Sequence, residues 1–257
     1  MGNFLIMGAS SGIGEACARL LSTKGHTTVL VARRRERLES LAKEFPSQAF
    51  CYPCDLDDTE NIKNIFLFCK EKELKLDGMI YSAGIIADAP IKAISTEMFI
   101  KVLRVNCIAF AELGKYFCNR KYSNDFSRVV AISSSTSQSC DKGMGMYSAS
   151  KAALNALVKT MSKEFLGRGI LVNAIMPAGV LTPMATEKIR VMTGTEIDIE
   201  ELSHRIQKNG IKVNIDNEQP LGFILPENIA EIAEFLVSDA NKYITGALVP
   251  VSAGRIF

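Results

Sequence analysis

Charge imbalance and long apolar runs are both missing from this sequence. Its 30 Lys and Arg residues are nearly matched by 28 Asp and Glu, so the net charge is only +2. Such a balance indicates neither a nucleic-acid-binding surface nor an acidic tail. No apolar run reaches the roughly 18 residues of a membrane span, and the N-terminus lacks the basic segment and cleavage site of a signal peptide. We therefore expect no nucleic-acid partner, no membrane partner and a cytoplasmic location.

Metal ligands and disulfide partners are also scarce. The only histidines are His26 and His204, and the seven cysteines are odd in number and scattered, which argues against a disulfide framework. One CxxC pair, Cys51 and Cys54, follows a predicted strand, whereas a redox motif opens a helix, where the dipole lowers a thiol pKa. No second CxxC is present to complete a zinc site. We expect no metal and interpret the cysteines as small buried apolar residues, with a redox pair as the alternative.

What the sequence does contain is a regular alternation of short apolar runs and helical patterns. The predicted strands are 2–7, 27–31, one inside 42–53, 76–81, 128–132, 170–176 and 247–251. The predicted helices are 12–24, 59–72, 95–121, 147–166 and 226–237. No internal repeat or composition break divides the chain. Alternating strands and helices predict one α/β domain, with a parallel sheet covered on both faces.

Three glycines, Gly8, Gly12 and Gly14, lie between the first strand and the first helix. Such a turn leaves backbone N–H groups pointing outward at a helix N-terminus, where the helix dipole favours an anion. The spacing is Gly-x-x-x-Gly-x-Gly without a Lys, so this is not a nucleoside-triphosphate loop. A plain strand-to-helix turn is the alternative, but three glycines in seven residues favour the pyrophosphate of a dinucleotide.

The second strand ends in arginines instead of a carboxylate. Dinucleotide folds that take NAD place an acid there for the ribose hydroxyl. Arg33, Arg34 and Arg35 offer guanidiniums that can grip a phosphate, which indicates NADP(H). The alternative is an exposed basic helix start with Glu36 and Glu39 as partners.

Further polar or small residues follow later strand ends, where ligands of open α/β sheets bind. Asp55 follows the third strand. The Ser-Ala-Gly segment 82–84 follows the fourth and lets backbone approach a ligand closely. The Ser-rich segment 133–137 follows the fifth. Such a loop is usually only a turn, but Ser134 could hold a substrate carbonyl if it faces Tyr147.

Tyr147 and Lys151 lie four residues apart in a predicted helix, so they share one face. A free Tyr has a pKa of about 10, and a neighbouring ammonium favours the phenolate. Lowering that pKa by about three units needs roughly 4 kcal/mol, a large demand on Lys151 alone. An oxidised nicotinamide would supply a second positive charge. The alternative is a chance pair with a solvated Lys. Asn106, inside helix 95–121, is unfavourable by propensity, so it is either solvent-facing or specifically bonded.

Taken in order, these motifs resemble the short-chain dehydrogenase/reductase family in its compact, 3-oxoacyl-reductase-like form. The resemblance implies a single-domain Rossmann fold over 1–257, with a doubly wound seven-stranded parallel sheet and helices on both faces. It implies a catalytic tetrad of Asn106, Ser134, Tyr147 and Lys151. With the arginines above, the implied cofactor-binding residues are Gly8, Ser10, Ser11, Gly12, Ile13, Gly14, Arg33, Arg34, Asp55, Leu56, Ser82, Ala83, Gly84, Tyr147, Lys151, Pro177, Gly179, Val180 and Thr182. Within this set, the resemblance places Asp55 on the adenine and Thr182 on the nicotinamide amide.

The sequence also departs from the family pattern, at positions that concern loops more than chemistry. None of the four tetrad positions is changed. The departures put loop geometry in doubt: Met7 for the usual Thr, Tyr81-Ser82 for Asn-Asn, Ala178 for Gly, and Ser252-Ala253 for Asp-Gly.

The resemblance implies an NADP(H)-dependent carbonyl reductase or alcohol dehydrogenase. In the reducing direction NADPH passes hydride to a carbonyl carbon, Tyr147 protonates the oxygen and Ser134 donates a hydrogen bond to it. Lys151 lowers the Tyr147 pKa and binds the nicotinamide ribose, while Asn106 holds a water. The weakly patterned segment 184–222 is expected to cover the substrate.

Substrate, assembly and class stay open at this point. The substrate is a 3-oxoacyl thioester, a sugar-derived ketone, a steroid or another small ketone or alcohol. The Ala-rich face of helix 147–166 permits close helix packing, and the resemblance implies the dimers or tetramers that the family commonly forms. We therefore expect a homodimer or homotetramer. One alternative is a non-catalytic NADP(H)-sensing protein on the same fold. Another is a sugar-nucleotide epimerase or dehydratase, which would need an extra C-terminal substrate domain.

Overall fold

A seven-stranded sheet forms the centre of the chain in a computed structural model, which describes residues 1–193, 196, 198, 199, 201–203 and 219–255. The strands are β1 Asn3–Met7, β2 Thr27–Ala32, β3 Ala49–Pro53, β4 Leu76–Tyr81, β5 Ser123–Ile132, β6 Leu171–Pro177 and β7 Leu248–Val251. Their order is β3-β2-β1-β4-β5-β6-β7, and every neighbouring pair is parallel. The chain therefore forms the predicted doubly wound sheet of a single Rossmann-like α/β domain.

Helices cover both faces of this sheet. They are α1 Gly12–Thr23, α2 Arg35–Lys43, α3 Ile62–Glu71, α4 Thr96–Leu103, α5 Ala109–Phe117, α6 Thr136–Ser139, α7 Gly145–Glu164, α8 Pro183–Thr193 and α9 Pro226–Val237. Three 3₁₀ turns lie at Thr59–Asn61, Ile91–Ala93 and Phe165–Arg168, and a π-helical turn at Arg104–Ile108. No helix within the described ranges is long and apolar enough to cross a membrane.

The strands are continuous apolar runs because both of their faces are buried. In β1, Leu5 and Met7 belong to a core cluster under α3, α5 and α7, whereas Phe4 and Ile6 belong to a second cluster under α1, α2 and α9. Successive strand residues point to opposite faces, so one strand supplies both cores.

The strand order reverses between β1 and β4, which lie side by side. From this pair the chain winds outward to β3 on one side and to β7 on the other. A crevice at the carboxyl ends of the strands is expected at such a switch point. The predicted site residues mostly follow these strand ends.

Two predicted elements depart most from the structure. The expected single helix 95–121 is interrupted by the π-helical turn and ends at Phe117. Strand β5 begins at Ser123, not at residue 128, because Ser123 pairs with Leu76 before a register shift. Phe126, with φ 61°, lies within this irregular polar stretch, which carries no apolar strand pattern.

All seven cysteines are free thiols. Burial raises the pKa of Cys54 to about 11, the opposite direction from a reactive thiol. The interpretation as buried apolar residues is wrong for Cys140, which is exposed, and only partly right for Cys51 and Cys118, which are half-buried. No cluster of three potential metal ligands occurs among the described residues.

Candidate active site

A cavity of about 860 Å³ opens at the carboxyl edge of the sheet. Most of the predicted site residues line it, namely Gly8, Ser11, Gly12, Ile13, Arg33, Asp55, Leu56, Ser82, Ala83, Gly84, Ser134, Tyr147, Lys151, Pro177, Gly179, Val180 and Thr182. Four others, Ser10, Gly14, Arg34 and Asn106, are not part of its wall. The structure thus brings distant parts of the sequence into one crevice, with a supporting layer behind it.

The glycine loop at one end of the cavity has no space for side chains. A Cβ on Gly14 would lie 2.3 Å from the Gly8 carbonyl oxygen, and one on Gly8, at φ 78°, would lie 2.8 Å from the Ala83 nitrogen. A Cβ on Gly12 would lie 3.1 Å from Cγ2 of Thr182. Because α1 begins at Gly12, its N-terminus and dipole face this end of the cavity.

The two predicted phosphate-binding arginines have different surroundings. Arg34 Nη2 donates to the hydroxyls of Ser10, at 2.9 Å, and Ser11, at 3.0 Å. This guanidinium therefore stabilises the glycine loop and does not line the cavity. Arg33 lines the cavity and has no ion-pair or hydrogen-bond partner among the described residues. Of the two, Arg33 is the cation available to a ligand.

Tyr147 and Lys151 lie together at the opposite end of the cavity. The Lys151 Nζ is 5.7 Å from the centroid of the Tyr147 ring. Lys151 is only 3% exposed and donates to the Ile132 carbonyl at 2.8 Å. A Cβ on Gly84 would lie 3.4 Å from the Lys151 Nζ, so the 82–84 segment meets this pair. The alternative of a solvated lysine is wrong.

Burial dominates the protonation of this pair in the protein alone. It raises the pKa of Tyr147 to about 12, against the lowering effect of a hydrogen bond with Ser134, and the nearby Asp88 raises it further. Burial also lowers the pKa of Lys151 to about 8, partly opposed by Cys107. The phenol is therefore not acidic by virtue of Lys151 alone, which fits the expectation that one Lys is insufficient.

Asn106 is specifically bonded and fully buried, so its solvent-facing alternative is wrong. Its Oδ1 accepts from the Ile85 N–H at 2.8 Å, and its Nδ2 donates to the Ile85 carbonyl at 3.0 Å and to the Ser150 hydroxyl at 2.9 Å. It stands in the π-helical turn, where the preceding Val105 carbonyl accepts from the Tyr81 hydroxyl. Both protons of the Asn106 Nδ2 are already donated. A water bound to Asn106 would therefore have to donate to its Oδ1 or to its backbone carbonyl.

Ser134 lies at the start of a short hydrogen-bonded turn. Its Oγ accepts from the Thr136 N–H at 3.2 Å and from the Thr136 hydroxyl at 2.9 Å. Its carbonyl accepts from the Ser137 hydroxyl at 2.7 Å. Thr136 is a further contributor without a sequence signal, because a hydroxyl within a run of hydroxyls carries no signal of its own.

The Gln219 side chain is hydrogen-bonded to the backbone of the segment after β6. Gln219 Oε1 accepts from the Gly179 N–H at 2.8 Å, and its Nε2 returns a bond to the Gly179 carbonyl at 3.0 Å. The Leu181 N–H donates to the Ile224 carbonyl at 2.8 Å. Between them, the Val180 N–H has no hydrogen-bond partner within the described part of the chain. Gln219 is a further residue without a sequence signal.

The remaining wall of the cavity combines apolar and charged residues. Its apolar members include Ile85, Ile86, Met144, Met184 and Phe223, and its charged members are Lys101, Asp141, Lys142 and Arg255. Arg255 Nη2 contacts both carboxylate oxygens of Asp141 at 3.0 Å, joining the chain after β7 to the loop before α7. Isolated apolar residues in loops cannot be assigned to a cavity from sequence alone.

Comparisons with known proteins agree with this geometry. The family model described as short chain dehydrogenase matches residues 3–192. The chain is 33% identical to the 3-oxoacyl-[acyl-carrier-protein] reductase FabG of Rickettsia conorii over 253 residues, covering 98% of this chain and 95% of the relative. The protein of the same name from Thermotoga maritima is 29% identical, with coverages of 98% and 96%.

Solved structures show the same architecture. A variant of actinorhodin polyketide ketoreductase with NADPH superposes with a TM-score of 0.84 at 24% identity, covering 99% of this chain and 98% of that one. A dehydrogenase/reductase from Sinorhizobium meliloti gives 0.82 at 25% identity, with coverages of 98% and 94%. The matches span strands, helices and cavity alike, and the family model covers well over half of the sequence. The chain belongs to the short-chain dehydrogenase family.

Proposed function

We propose that this protein is an NADP(H)-dependent oxidoreductase that moves hydride between the nicotinamide and a carbonyl or secondary alcohol of a small substrate. The observation that carries the proposal is the meeting of Tyr147, Ser134 and Lys151 with the glycine loop in one cavity. The relatives named as 3-oxoacyl reductases make a 3-oxoacyl thioester the first substrate to test.

The residues present fit a phosphorylated dinucleotide. The glycine loop leaves a cradle that a Cβ would fill, and the N-terminus of α1 favours a pyrophosphate there. The unpaired guanidinium of Arg33 suits a ribose phosphate, and the unpaired Val180 N–H suits an amide oxygen. Asp55 and Leu56, beside Arg33 in the cavity wall, would flank the adenine. NADP(H) meets each of these requirements.

The side chains at the opposite end suit proton transfer to a carbonyl oxygen. A bound NADPH would supply the hydride. Because burial holds the pKa of Tyr147 at about 12, the phenol is protonated at neutral pH and can give its proton to the substrate oxygen. Ser134 donates to the same oxygen and stabilises the charge that develops there. The Lys151 ammonium then favours the resulting phenolate. Asn106 fixes the backbone of Ile85 against α7 and so holds these groups in place.

The cavity wall offers apolar contact to an acyl chain through Ile85 and Phe223. The same wall carries Lys101, Lys142 and the paired Asp141 and Arg255, which offer polar contacts to a sugar-derived ketone. The names of the relatives, and not the wall, place the 3-oxoacyl thioester first. We propose that the segment 184–222 covers this end within a single catalytic domain. Its central part lies outside the described residues.

We further propose that the protein is a homodimer or homotetramer. The small residues of the α7 face are exposed in the single chain at positions 149, 152 and 156, which permits close helix packing. Light scattering tests this proposal, and a monomer at micromolar concentration would reject it.

The decisive experiment compares wild type with Tyr147→Phe on a panel of 3-oxoacyl thioesters and small ketones, following NADPH absorbance. We expect turnover to fall at least about 100-fold, with NADPH affinity within about twofold of wild type. Tyr243→Phe is the control, since Tyr243 is 91% exposed. Retained turnover in Tyr147→Phe would refute the assignment. Tight NADPH binding with no turnover on any carbonyl would instead support the non-catalytic alternative, which no feature of the cavity favours.

A further inference from the structure

Thr136 contacts the Ser134 hydroxyl twice, once through its backbone N–H and once through its side chain. Its N–H lies 3.2 Å and its own hydroxyl 2.9 Å from Ser134 Oγ. Thr136 is 9% exposed and begins α6, so its side chain is fixed within the turn. Its hydroxyl has no other acceptor among the described residues, which leaves Ser134 as its partner.

The number of protons and lone pairs on the Ser134 hydroxyl determines whether it donates or accepts a further hydrogen bond. A hydroxyl oxygen has two lone pairs and one proton. When Thr136 donates to both lone pairs, Ser134 can no longer accept from a third group. Its single proton is then left for another acceptor, and the hydrogen bond of Ser134 with Tyr147 identifies the Tyr147 oxygen as that acceptor. Ser134 becomes a hydrogen-bond donor only.

We propose that Thr136 is a positioning residue that keeps the Ser134 hydroxyl a donor, to the Tyr147 oxygen in the protein alone and to the substrate oxygen once substrate is bound. The proposal rests on the proposed function, since it assigns the device that orients a group of the same site. Without the Thr136 hydroxyl, one lone pair of Ser134 is free. Ser134 can then rotate and accept from the Tyr147 O–H, which favours the neutral phenol and removes a donor from the substrate oxygen.

The test replaces Thr136 by Val, which keeps the shape and removes the hydroxyl, and by Ser, which restores it. We expect Thr136→Val to lower kcat about three- to tenfold with an unchanged KM for NADPH, the effect of one hydrogen bond. In alcohol oxidation, where Tyr147 must be deprotonated, the acid limb of the kcat profile should move to higher pH. Thr136→Ser should restore both the rate and the profile.

A matched control removes another hydroxyl from the same short helix. Ser139 Oγ is buried and has no hydrogen-bond partner in the described structure, so Ser139→Ala should leave kcat and the pH profile within twofold of wild type. A loss in Ser139→Ala equal to that in Thr136→Val would show that any change in α6 disturbs the site, and would overturn the proposal.

A titration separates this proposal from the proposed function. The ring carbon bonded to oxygen in ¹³C-labelled Tyr147, assigned with Tyr147→Phe, reports its pKa without turnover. Thr136→Val should raise the pKa of Tyr147 when Ser134 is present but leave it unchanged in a Ser134→Ala background. An equal rise in both backgrounds would mean that Thr136 acts directly on Tyr147. No rise with Ser134 present would mean that Ser134 already accepts from the Tyr147 O–H. Either result overturns the proposal, even if no substrate is ever turned over.

Discussion

The two ends of the cavity differ in the atoms that form them, main-chain atoms at one end and buried side chains at the other. The end that would hold the dinucleotide is made mainly by backbone: a Cβ on Gly8 or Gly14 would meet main-chain atoms below 3.0 Å, and one on Gly12, at φ 59°, would press on the Thr182 side chain. The reactive end is made by buried side chains, since Asn106, Ser134 and Lys151 are each under 9% exposed and each hydrogen-bonded. A backbone site tolerates no added atom, whereas a side-chain site tolerates no lost partner.

The difference matters for how each end can fail. Adding one methyl group at Gly8 or Gly14 meets main-chain atoms that cannot move aside, so the damage should be structural. Removing a polar group at the reactive end leaves its buried partners without a hydrogen bond, so the damage should combine stability and turnover. Single substitutions at each end distinguish these two kinds of failure.

Gly14→Ala should break the dinucleotide end. Its Cβ would lie 2.3 Å from the Gly8 oxygen, so α1 and the loop must separate. We expect a loss of about 3 kcal/mol in the free energy of unfolding and no measurable NADPH binding, followed by urea unfolding and by fluorescence titration. Gly167→Ala is the control, because a Cβ there meets nothing within 4 Å. Equal stability of the two variants would mean that the loop has room to adjust.

Asn106→Ala should break the reactive end by loss of partners. The change leaves the N–H and carbonyl of Ile85 and the hydroxyl of Ser150 without the bonds that Asn106 makes. We expect a loss of about 2 kcal/mol in the free energy of unfolding together with slower turnover, while NADPH still binds. Asn64→Ala removes an amide from the exposed side of α3 and should change neither. A fully stable Asn106→Ala would remove this residue from the framework of the site.

The contrast between the two ends also explains how much was predictable from sequence. The parallel sheet covered on both faces and the glycine turn follow from local patterns, because apolar runs set the strands and glycine spacing sets the turn, whereas the doubly wound order of seven strands was implied only by the family resemblance. The pairing of Tyr147 with Lys151 is equally local, since both lie on one helix face. These features need no knowledge of distant contacts.

Contacts between distant residues were not predictable in the same way. Gln219 bonds to Gly179 across 40 residues, and Arg255 pairs with Asp141 across 114. No local period or composition signals such pairs. Asn106 was ambiguous for a related reason: its location in a π-helical turn, with Ile85 as its partner, depends on the packing of the whole helix layer. Sequence indicated that it was unusual, and only the fold showed why.

Arg33→Ala should sharpen the difference between NADP(H) and NAD(H). We expect NADPH affinity to fall about tenfold, the effect of one charge-assisted contact at an exposed site, while NADH affinity stays within twofold. Arg35→Ala is the control, since its guanidinium pairs with Glu39 at 3.4 Å. Fluorescence titration with both nucleotides measures the effect. An equal loss for both nucleotides would remove Arg33 from the phosphate site.

Lys151→Met should show that the reactive end costs stability. The pKa of Lys151 is lowered to about 8 by burial, whereas in the unfolded chain it is about 10.4. Between these values the unfolded chain binds a proton that the folded protein has released, so stability rises with pH, by at most about 1.4 kcal/mol per unit. Below pH 8 both states carry the charge and this contribution is constant.

The measurement is urea unfolding of wild type, Lys151→Met and the exposed Lys159→Met from the same helix, at intervals between pH 7 and 10. Wild type and Lys159→Met should share the rise above pH 8, and Lys151→Met should lose it. A common slope in all three would mean that the buried ammonium carries no penalty. The reactive end would then resemble the dinucleotide end in its energetics, and the contrast between them would be one of geometry alone.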